Sequence, residues 1–379
     1  MITYATAGAG HRRAAEALAQ AVTSRFPNAH VQCVDVLDWT PRWFRSGYAW
    51  SYLFLVRRAS WVWKISYHLL EHAAVYQCVQ PLRRAWNLLM TRRFVRWLSA
   101  DPPDTVVATH FLPADVCSAG KRSGWLPVPL VVVVTDLHPH RFWISPECDA
   151  MVVSTMEAAV ILQRRGLTPE RIHVIGIPIA RAFSRPEDRG TLQARFRLQP
   201  GRLTVLVTSG GTTVGQFERV VRSLLSLEAV LPGRLQLLVV CGEDAQAHHR
   251  LSGCAASSAM PLTVFGFIDN MAEVMAASDL IVAKAGGLTV TEALGRGIPL
   301  ILYHVIPGQE RENARYLASH GAAIIAPRPA DVAQAVRRCV EEPRVLDGLQ
   351  QAAAALSRPH AAEAIVAQVV EPLLQKHPL

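Results

Sequence analysis

Short apolar runs alternate with helical patterns along most of the chain, and this alternation restricts the possible folds more than any other feature. In the first half, Ile2–Thr6, Thr105–Thr109 and Leu130–Thr135 have the length and composition of buried strands. Leu203–Thr208 and Leu235–Cys241 begin a similar series in the second half. Strands that alternate with helices pair in parallel. The sequence therefore predicts an α/β protein with two Rossmann-like, doubly wound domains that face each other across a cleft.

The domain boundaries are predicted from composition. The stretch Arg181–Gly201 is polar and contains two prolines, which is typical of a linker. We expect an N-terminal domain over residues 1–183, a C-terminal domain over residues 184–358, and a terminal helix over residues 359–379 that packs back on the first domain.

The segment from Trp39 to Leu98 carries the net charge of +9 by itself. It contains ten lysines and arginines, a single acidic residue, Glu71, and seven of the nine tryptophans. Trp and Tyr favour the membrane interface, and Lys and Arg favour anionic lipid, so this insertion predicts a membrane-binding surface. A helix that begins at Pro81 would place its apolar residues on one face. The residues expected to contact the membrane are Arg83, Arg84, Trp86, Arg92, Arg93 and Trp97.

Composition also disfavours several classes of protein. A helical flap with solvated arginines remains an alternative for the basic segment, but no nucleic-acid-binding module is visible, so no nucleic-acid partner is expected. No apolar run reaches the ~18 residues of a membrane-spanning helix, and no signal-peptide pattern begins the chain. The seven cysteines are scattered without C-x-x-C spacing, which favours reduced thiols in the cytoplasm over a disulfide scaffold or a zinc site.

The first candidate site is the turn Thr6–His11, between the first strand and the first helix. Its glycines, among them Gly10, permit a tight turn, and the helix N-terminus offers unpaired N–H groups. His11 can act there as a general base or bind a substrate. The alternatives are that the turn only packs the strand against the helix and that His11 only caps the loop.

The second candidate site is Thr135–His140, at the end of a fully apolar strand. Asp136 lies where a catalytic carboxylate is expected, and the alternative is that it caps or braces the loop. Asp136, His138 and His140 alternate as metal ligands can, but Pro139 bends the chain and such trios are common by chance. No metal is therefore expected.

The third candidate site is Ser209–Gly215, after the first strand of the second half. Gly210 and Gly211 lie in a turn before a helix, which is suited to cradling a phosphate. The turn lacks the G-K-[ST] ending of a P-loop, so nucleotide hydrolysis is disfavoured.

The fourth candidate site is the most specific. Ala285–Thr289 can present backbone N–H groups to a diphosphate, and Glu292, one helical turn later, can accept from both ribose hydroxyls. Pro307–Glu310 follows the next strand, and Gln309 and Glu310 can bind sugar hydroxyls. Because both stretches follow strands, they project into the same rim. Together they predict a nucleotide-sugar site.

These motifs resemble those of a known family. The chain is similar to the bacterial processive diacylglycerol glucosyltransferases and the plant-type monogalactosyldiacylglycerol synthases of glycosyltransferase family 28, from about Thr6 to His320 and over most of the remainder. Its Gly-Gly-Leu-Thr sequence is closer to the bacterial enzymes than to the plant enzymes, which tend to have Gly-Pro-Gly-Thr. The resemblance is carried by the G-x-G-H turn that ends at His11, Thr135-Asp136 with His140 and Trp143, Gly176–Pro178, Gly266–Ile268, Asn270-Met271, Lys284–Thr289, Glu292-Ala293, and Ile306–Glu310 with Asn313.

The resemblance implies a GT-B fold and an inverting transfer of a hexose from a UDP-sugar to the hydroxyl of diacylglycerol. It implies that helix N-termini, rather than a metal or another cofactor, stabilise the leaving diphosphate. His11 or Asp136 would be the base, and Gly10, His140 and Trp143 would belong to the acceptor side. The residues implied for the donor are Gly210 and Gly211, Gly266, Phe267 and Ile268 for uracil, Gly286, Gly287, Leu288 and Thr289 for the phosphates, Glu292 for the ribose, and Gln309, Glu310 and Asn313 for the hexose.

Three functions remain open at this point. The first is the lipid glycosyltransferase, a peripheral protein on the cytoplasmic face of the cell membrane. The second is an enzyme like the UDP-sugar 2-epimerases, which needs no lipid surface, so the segment from Trp39 to Leu98 counts against it. The third is a non-catalytic UDP-sugar sensor at the membrane, against which His11 and Asp136 count. The sequence does not distinguish UDP-glucose from UDP-galactose, nor His11 from Asp136 as the base.

Overall fold

The chain forms two compact units, and each is built on its own parallel sheet. The computed structural model describes residues 1–6, 8–48, 50, 60–210 and 216–376, without the side chains of Ser60, Trp63 and Lys64. The first unit contains Met1–Ala180, Pro307–Gln309 and His360–Leu379, and the second contains Arg181–Ile306 and Glu310–Pro359.

The sheet of the first unit consists of β1 (Ile2–Tyr4), β2 (Cys33–Asp35), β3 (Val106–Ala108), β4 (Leu130–Val133), β5 (Ala150–Val153) and β6 (Ile172–Val174). The strands pair in parallel in the order β2-β1-β3-β4-β5-β6. Every residue of β4 and β5 is buried, as expected for strands of a parallel sheet that is covered on both faces.

The first-unit helices that precede the second unit are α1 (Ala9–Arg25), an unlabelled helix over residues 42–48, α2 (Ser60–Glu71), α3 (Ala73–Met90), α4 (Arg92–Ala100), α5 (Phe111–Ser123) and α6 (Met156–Arg164). The predicted apolar spacing of α1 is confirmed, because Ala14, Ala15, Leu18 and Ala21 are buried. Successive residues of β4 point to opposite faces of the sheet. Val131 therefore packs in one core with α1, and Val132 packs in the other with α4 and α5.

The sheet of the second unit consists of β7 (Leu203–Thr208), β8 (Leu235–Val240), β9 (Leu262–Phe265), β10 (Leu280–Ala283), β11 (Leu300–Leu302) and β12 (Ala323–Ile325). The strands again pair in parallel, in the order β12-β11-β10-β7-β8-β9. The prediction of two doubly wound α/β sheets is therefore confirmed.

The helices of the second half are α7 (Arg189–Arg195), α8 (Phe217–Leu225), α9 (Ala245–Ser257), α10 (Met271–Ala276), α11 (Gly287–Gly295), α12 (Gln309–Ser319), α13 (Pro329–Glu341) and α14 (Pro343–Ala355). The chain then returns to the first unit through α15 (Ala361–Ile365), a π-helical turn (Val366–Val370) and α16 (Glu371–Lys376). Ala362 and Val366 pack there against Ala17 and Ala21 of α1.

Each sheet has one point where the strand order reverses. In the first unit it lies between β1 and β3, and in the second unit it lies between β7 and β10. Ligands of doubly wound sheets bind outside the carboxyl ends of the strands at such points. His11 follows β1, and the glycine turns at Gly210 and Gly286 follow β7 and β10, so three of the candidate sites lie at the reversal points.

Two predictions about individual elements are wrong. The stretch Arg181–Gly201 is not an open linker, because it contains α7 and buries Leu192 and Phe196 in the second unit. The helix expected to begin at Pro81 begins eight residues earlier and contains that proline in its interior. The chain then breaks at Thr91 before α4, so the predicted apolar face is divided between two helices.

No helix within the described residues combines the length and the apolar character that crossing a bilayer requires.

Candidate active site

His11 lies in the first turn of α1, and its contacts fix which ring nitrogen carries the proton. Nδ1 lies 2.8 Å from the backbone oxygen of Thr109 and 3.0 Å from the hydroxyl oxygen of Thr135. A backbone carbonyl can only accept, so Nδ1 is the protonated nitrogen and Nε2 keeps its lone pair. The hydroxyl of Thr109 also donates to the backbone oxygen of His11, 2.9 Å away, and braces the same turn.

Burial keeps the His11 ring neutral. The loss of solvation lowers the pKa of His11 to about 4, and the hydrogen bond to Thr109 offsets only part of this effect. At neutral pH the ring is therefore neutral, with its one proton on Nδ1 and a lone pair on Nε2. Such a nitrogen can take a proton from a substrate group, and the role of His11 as the base stays a prediction.

A second histidine, His110, lies beside His11 at the end of β3. The two ring centroids are 4.4 Å apart and the ring planes are nearly perpendicular. Its Nδ1 accepts from the backbone N–H of Leu112 and caps α5. His110 is not among the residues predicted from the sequence, although its position after the strand next to β1 was a signal for it.

The loop that holds the second candidate site is tied to α2, which belongs to the basic, aromatic segment from Trp39 to Leu98. Glu71, the last residue of α2, accepts from Arg165 at 2.5 Å and from the backbone N–H of Arg141 at 3.1 Å. His140 lies 3.4 Å from the same carboxylate and accepts on Nδ1 from Phe142. These contacts fix α2 against the loop.

Asp136 is half-buried, and its backbone oxygen accepts from Ser154. Trp143 is almost fully buried, and its ring centroid lies 6.2 Å from that of His11. Among the described residues, no group of three His, Cys, Asp or Glu side chains is arranged to hold a metal ion. The roles of Gly10, Asp136, His140 and Trp143 toward an acceptor stay predictions.

Arg83 and Arg84 do not face the solvent, so their predicted contact with a membrane is wrong. Their side chains are 14% and 11% exposed, and both lie 3.4 Å from a carboxylate oxygen of Asp115 on α5. Asp115 is 2% exposed and also accepts from Asn87 at 2.8 Å. Burial of three charges requires pairing, which the sequence could not reveal because the carboxylate lies about 30 residues away.

Trp97 is also turned toward the protein. It stacks on Trp39 with ring centroids 4.5 Å apart and packs against the core of the first unit. Trp86 is different, because 47% of it is exposed and its ring meets that of Trp43, which is 62% exposed. Arg92 and Arg93 are exposed as well.

Two helices present apolar side chains to the solvent, and we call these residues together with Trp43 the exposed apolar surface. On α3 the residues follow a spacing of three and four, which places them on one face. On α2 they follow a spacing of four. The residues are Val79, Leu82, Trp86 and Leu89 on α3, and Trp61, Ile65 and Leu69 on α2.

The glycine turn after β10 leaves a helix N-terminus open. Gly286 is the N-cap of α11. Because glycine has no side chain, this residue cannot accept a side-chain hydrogen bond from the first-turn N–H groups. The first turn, Gly287–Thr289, contains no acidic residue. These N–H groups and the helix dipole form a favourable environment for a phosphate. Glu292 lies one turn further along the helix and is buried.

Other residues predicted to bind the donor follow β7 and β9 of the same sheet. Gly210 follows β7 with φ of 75°, a conformation that favours glycine, whereas Gly211 lies outside the described residues. Gly266 directly follows β9, and the next residue, Phe267, is 60% exposed. Ile268 is half-buried. Contact of these residues with a nucleotide stays a prediction.

Three of the residues predicted to bind the hexose, Gln309, Glu310 and Asn313, lie on α12. Burial raises the pKa of Glu310, and Lys284 and the N–H of Ile306 oppose this rise. Asn313 is fully buried and its amide donates to the backbone oxygen of Ala285 at 3.0 Å, so it braces the glycine turn. The predicted contact of Asn313 with the hexose stays a prediction. Gln309 is half-buried at the start of α12.

Both halves of the chain match known families. Residues 11–179 match the family described as monogalactosyldiacylglycerol (MGDG) synthase, and residues 204–365 match the glycosyltransferase family 28 C-terminal domain. A processive diacylglycerol beta-glucosyltransferase from Bacillus cytotoxicus is 30% identical over 281 residues, which covers 74% of this chain and 71% of that protein. The enzyme of the same name from Bacillus pumilus is 26% identical over 292 residues, with coverage of 76% and 75%.

Solved structures with the same fold are more distant in sequence. MurG from Acinetobacter baumannii matches with a TM-score of 0.65 and 18% identity over 100% of this chain and 99% of that chain. The UDP-GlcNAc 2-epimerase from Neisseria meningitidis, bound to UDP-GlcNAc, matches with a TM-score of 0.60 and 12% identity, with coverage of 98% and 99%. Identities this low show the fold alone, and they confirm the predicted GT-B fold.

Proposed function

We infer the function from the family to which the chain belongs, that of the processive diacylglycerol beta-glucosyltransferases and monogalactosyldiacylglycerol synthases. The protein is a glycosyltransferase on this evidence of descent. We propose that it transfers a hexose from UDP-glucose or UDP-galactose to the hydroxyl of diacylglycerol, with inversion at the anomeric carbon. The observation that carries the proposal is the neutral ring of His11. Its Nδ1–H donates to the backbone oxygen of Thr109, so its Nε2 can act as a base.

The proposed chemistry is a single displacement. Nε2 of His11 takes the proton of the acceptor hydroxyl as its oxygen bonds to the anomeric carbon of the hexose. The bond from that carbon to the β-phosphate oxygen breaks, and UDP leaves with the electron pair. Inversion follows because the oxygen enters opposite the leaving group.

The departing diphosphate needs positive electrostatic potential. The open N-terminus of α11 supports this role, since its first-turn N–H groups lack a side-chain cap and an acidic neighbour in the described structure. We propose that these groups replace the metal ion that other transferases use, so that no cofactor is needed. Glu292 would hold the ribose, and Gln309 and Glu310 would hold the hexose.

Sequence descent supports the transferase over the epimerase. The relatives at 26–30% identity carry the name of a diacylglycerol glucosyltransferase, whereas the epimerases share only the fold. The exposed apolar surface supports the same choice, because an acceptor that resides in a bilayer requires the enzyme to reach the bilayer.

The test of this function is transfer in vitro. Incubation of the protein with diacylglycerol vesicles and each labelled UDP-hexose is expected to yield labelled glycosyldiacylglycerol, in the presence of excess chelator. Mass spectrometry identifies the product and its sugar. Vesicles without diacylglycerol serve as the control. Absence of a glycolipid with either donor would refute the proposed reaction, and activity that a chelator abolishes and a divalent ion restores would refute the metal-free mechanism.

We further propose that the protein binds the cytoplasmic face of the cell membrane through the exposed apolar surface. The Leu82→Ser/Trp86→Ser double variant is expected to bind vesicles at least tenfold more weakly, because each of these side chains gains about 1.5–3 kcal/mol when it leaves water. Sedimentation with vesicles measures the change.

A matched control uses exposed apolar residues of the same unit that lie outside this surface. Met156→Ser/Val174→Ser removes side chains that are 64% and 41% exposed, and vesicle binding is expected to stay at the parent level. Arg92→Gln/Arg93→Gln is expected to weaken binding only to anionic vesicles at low salt. Equal binding by the Leu82/Trp86 variant and the parent would exclude this surface.

A further inference from the structure

His110 carries an enclosed hydrogen-bonding atom that the described structure leaves unpaired. Its side chain is 1% exposed, and Nε2 has no hydrogen-bond partner among the described residues. A buried polar group without a partner costs about 1–3 kcal/mol. Such a group beside the proposed base must be paired by a molecule other than the protein, which is either ordered water or a bound ligand.

The contacts of His110 decide what Nε2 offers. Nδ1 accepts from the N–H of Leu112 at 2.9 Å, so it is the unprotonated nitrogen of the ring. A neutral imidazole carries one proton, which must then be on Nε2. Burial, with smaller effects of His11 and Arg83, lowers the pKa of His110 well below its usual value and keeps the ring neutral. Nε2–H is therefore a neutral hydrogen-bond donor without an acceptor among the described residues.

The position of His11 determines which part of an acceptor comes near this donor. If His11 is the base, the acceptor hydroxyl lies within hydrogen-bond reach of that ring. The ring of His110 is 4.4 Å away from it, between centroids. In diacylglycerol, the carbon beside the one that bears the hydroxyl carries an ester, whose carbonyl oxygen can only accept. An ester carbonyl thus approaches His110 when the hydroxyl approaches His11.

We propose that Nε2–H of His110 donates to an ester carbonyl of diacylglycerol, which makes His110 a specificity-determining residue for the acceptor. The inference rests on the proposed function. Because Nε2 is enclosed in the free protein, acceptor binding must open a path to it; the ring of Tyr48 lies nearby, with its centroid 6.2 Å from that of His110. A lipid that lacks the carbonyl leaves the buried donor unpaired, and sites of this kind discriminate strongly against such analogues.

The test compares dioleoylglycerol with its dialkyl ether analogue at equal mole fractions in the same vesicles. The parent is expected to favour the ester about tenfold in kcat/KM, and the His110→Asn variant is expected to use both lipids equally well. Asparagine can still accept from Leu112 and cap α5, but it places no donor where Nε2 lies. The ratio of the two rates in one preparation is independent of the fraction of folded enzyme.

The possible results separate the two proposals. Equal use of ester and ether by the parent, or an unchanged preference in His110→Asn, would overturn this inference and leave the proposed function standing. A purely structural cap predicts an equal loss on both lipids in the variant, with the preference retained. Transfer to neither lipid by the parent would overturn the proposed function itself. If His110→Asn does not fold, the ratio of ester to ether turnover in the parent decides the question.

Discussion

Replacing His11 with asparagine is expected to lower kcat on diacylglycerol by about two to four orders of magnitude, the usual contribution of a general base. The asparagine amide can donate to the Thr109 carbonyl in place of Nδ1–H, which preserves the brace at 2.8 Å. It has no basic nitrogen in place of Nε2. UDP affinity, measured by calorimetry, is expected to stay unchanged because the residues proposed to bind UDP, from Gly210 to Glu292, lie in the second unit.

The pH dependence of the parent follows from the same burial. The base must be unprotonated, and burial lowers the pKa of His11 to about 4. We therefore expect kcat/KM to stay level through neutral pH and to fall only as the pH drops through about 4, far below the value of about 6.5 for a solvated histidine. An aspartate base would give a similar acidic limb, so the variants must decide between them. A nearly inactive Asp136→Asn beside an active His11→Asn would assign the base to Asp136.

Replacing Asp115 with alanine is expected to destabilise the first unit by about 3–5 kcal/mol, because it leaves buried guanidinium groups without their counter-ion. Arg83 and Arg84 both lie 3.4 Å from this carboxylate, and none of the guanidinium nitrogens of Arg83 has a hydrogen-bond partner among the described residues. For a unit of this size the melting temperature is expected to fall on the order of 10 °C. Thermal unfolding followed by circular dichroism measures the change.

An exposed ion pair of the same unit provides the control for Asp115→Ala. Asp38 pairs with Arg45 at 2.9 Å, and both side chains are more than half exposed. Asp38→Ala is expected to change the free energy of unfolding by less than about 1 kcal/mol. If the Asp115 and Asp38 variants melt at the same temperature, the buried trio does not hold the helices of the basic segment against the sheet.

The strands and their order of appearance were predictable because a buried parallel strand is apolar on both faces and leaves a continuous run, as in Leu130–Val133. The interior position of Pro81 was not. Proline favours the first turn of a helix, so the sequence predicts a start there, whereas the packing of α3 against α5 overrides that local preference. The helix α7 was not predictable from the polar stretch Arg181–Gly201, because its buried large apolar residues are separated by polar ones; they are Phe183, Leu192, Phe196 and Leu198.

The candidate site was predictable where chemistry follows a strand directly. His11 and the turn at Gly286 could be found because glycines mark both turns. No glycine turn marks His110. Its proposed role depends on His11, which is 99 positions away in the sequence and adjacent in space. The sequence predicted a membrane contact for Arg83 because it could not reveal the partner of this side chain. That partner, Asp115, belongs to another helix. Pairing between distant residues is the part of the site that local patterns do not encode.

The hydrogen bond between His11 and Thr109 joins residues 98 positions apart, and the basic, aromatic segment lies between them. Because β1 and β3 are direct neighbours, the chain returns to the same place in the sheet whatever its path in between. The entropic cost of such an excursion grows only slowly with its length. The consequence is evolutionary: selection can lengthen, shorten or recompose the segment that we propose faces lipid, while the proposed base and its backbone support stay in place. On this proposal, adaptation to a membrane and conservation of the chemistry are separable traits.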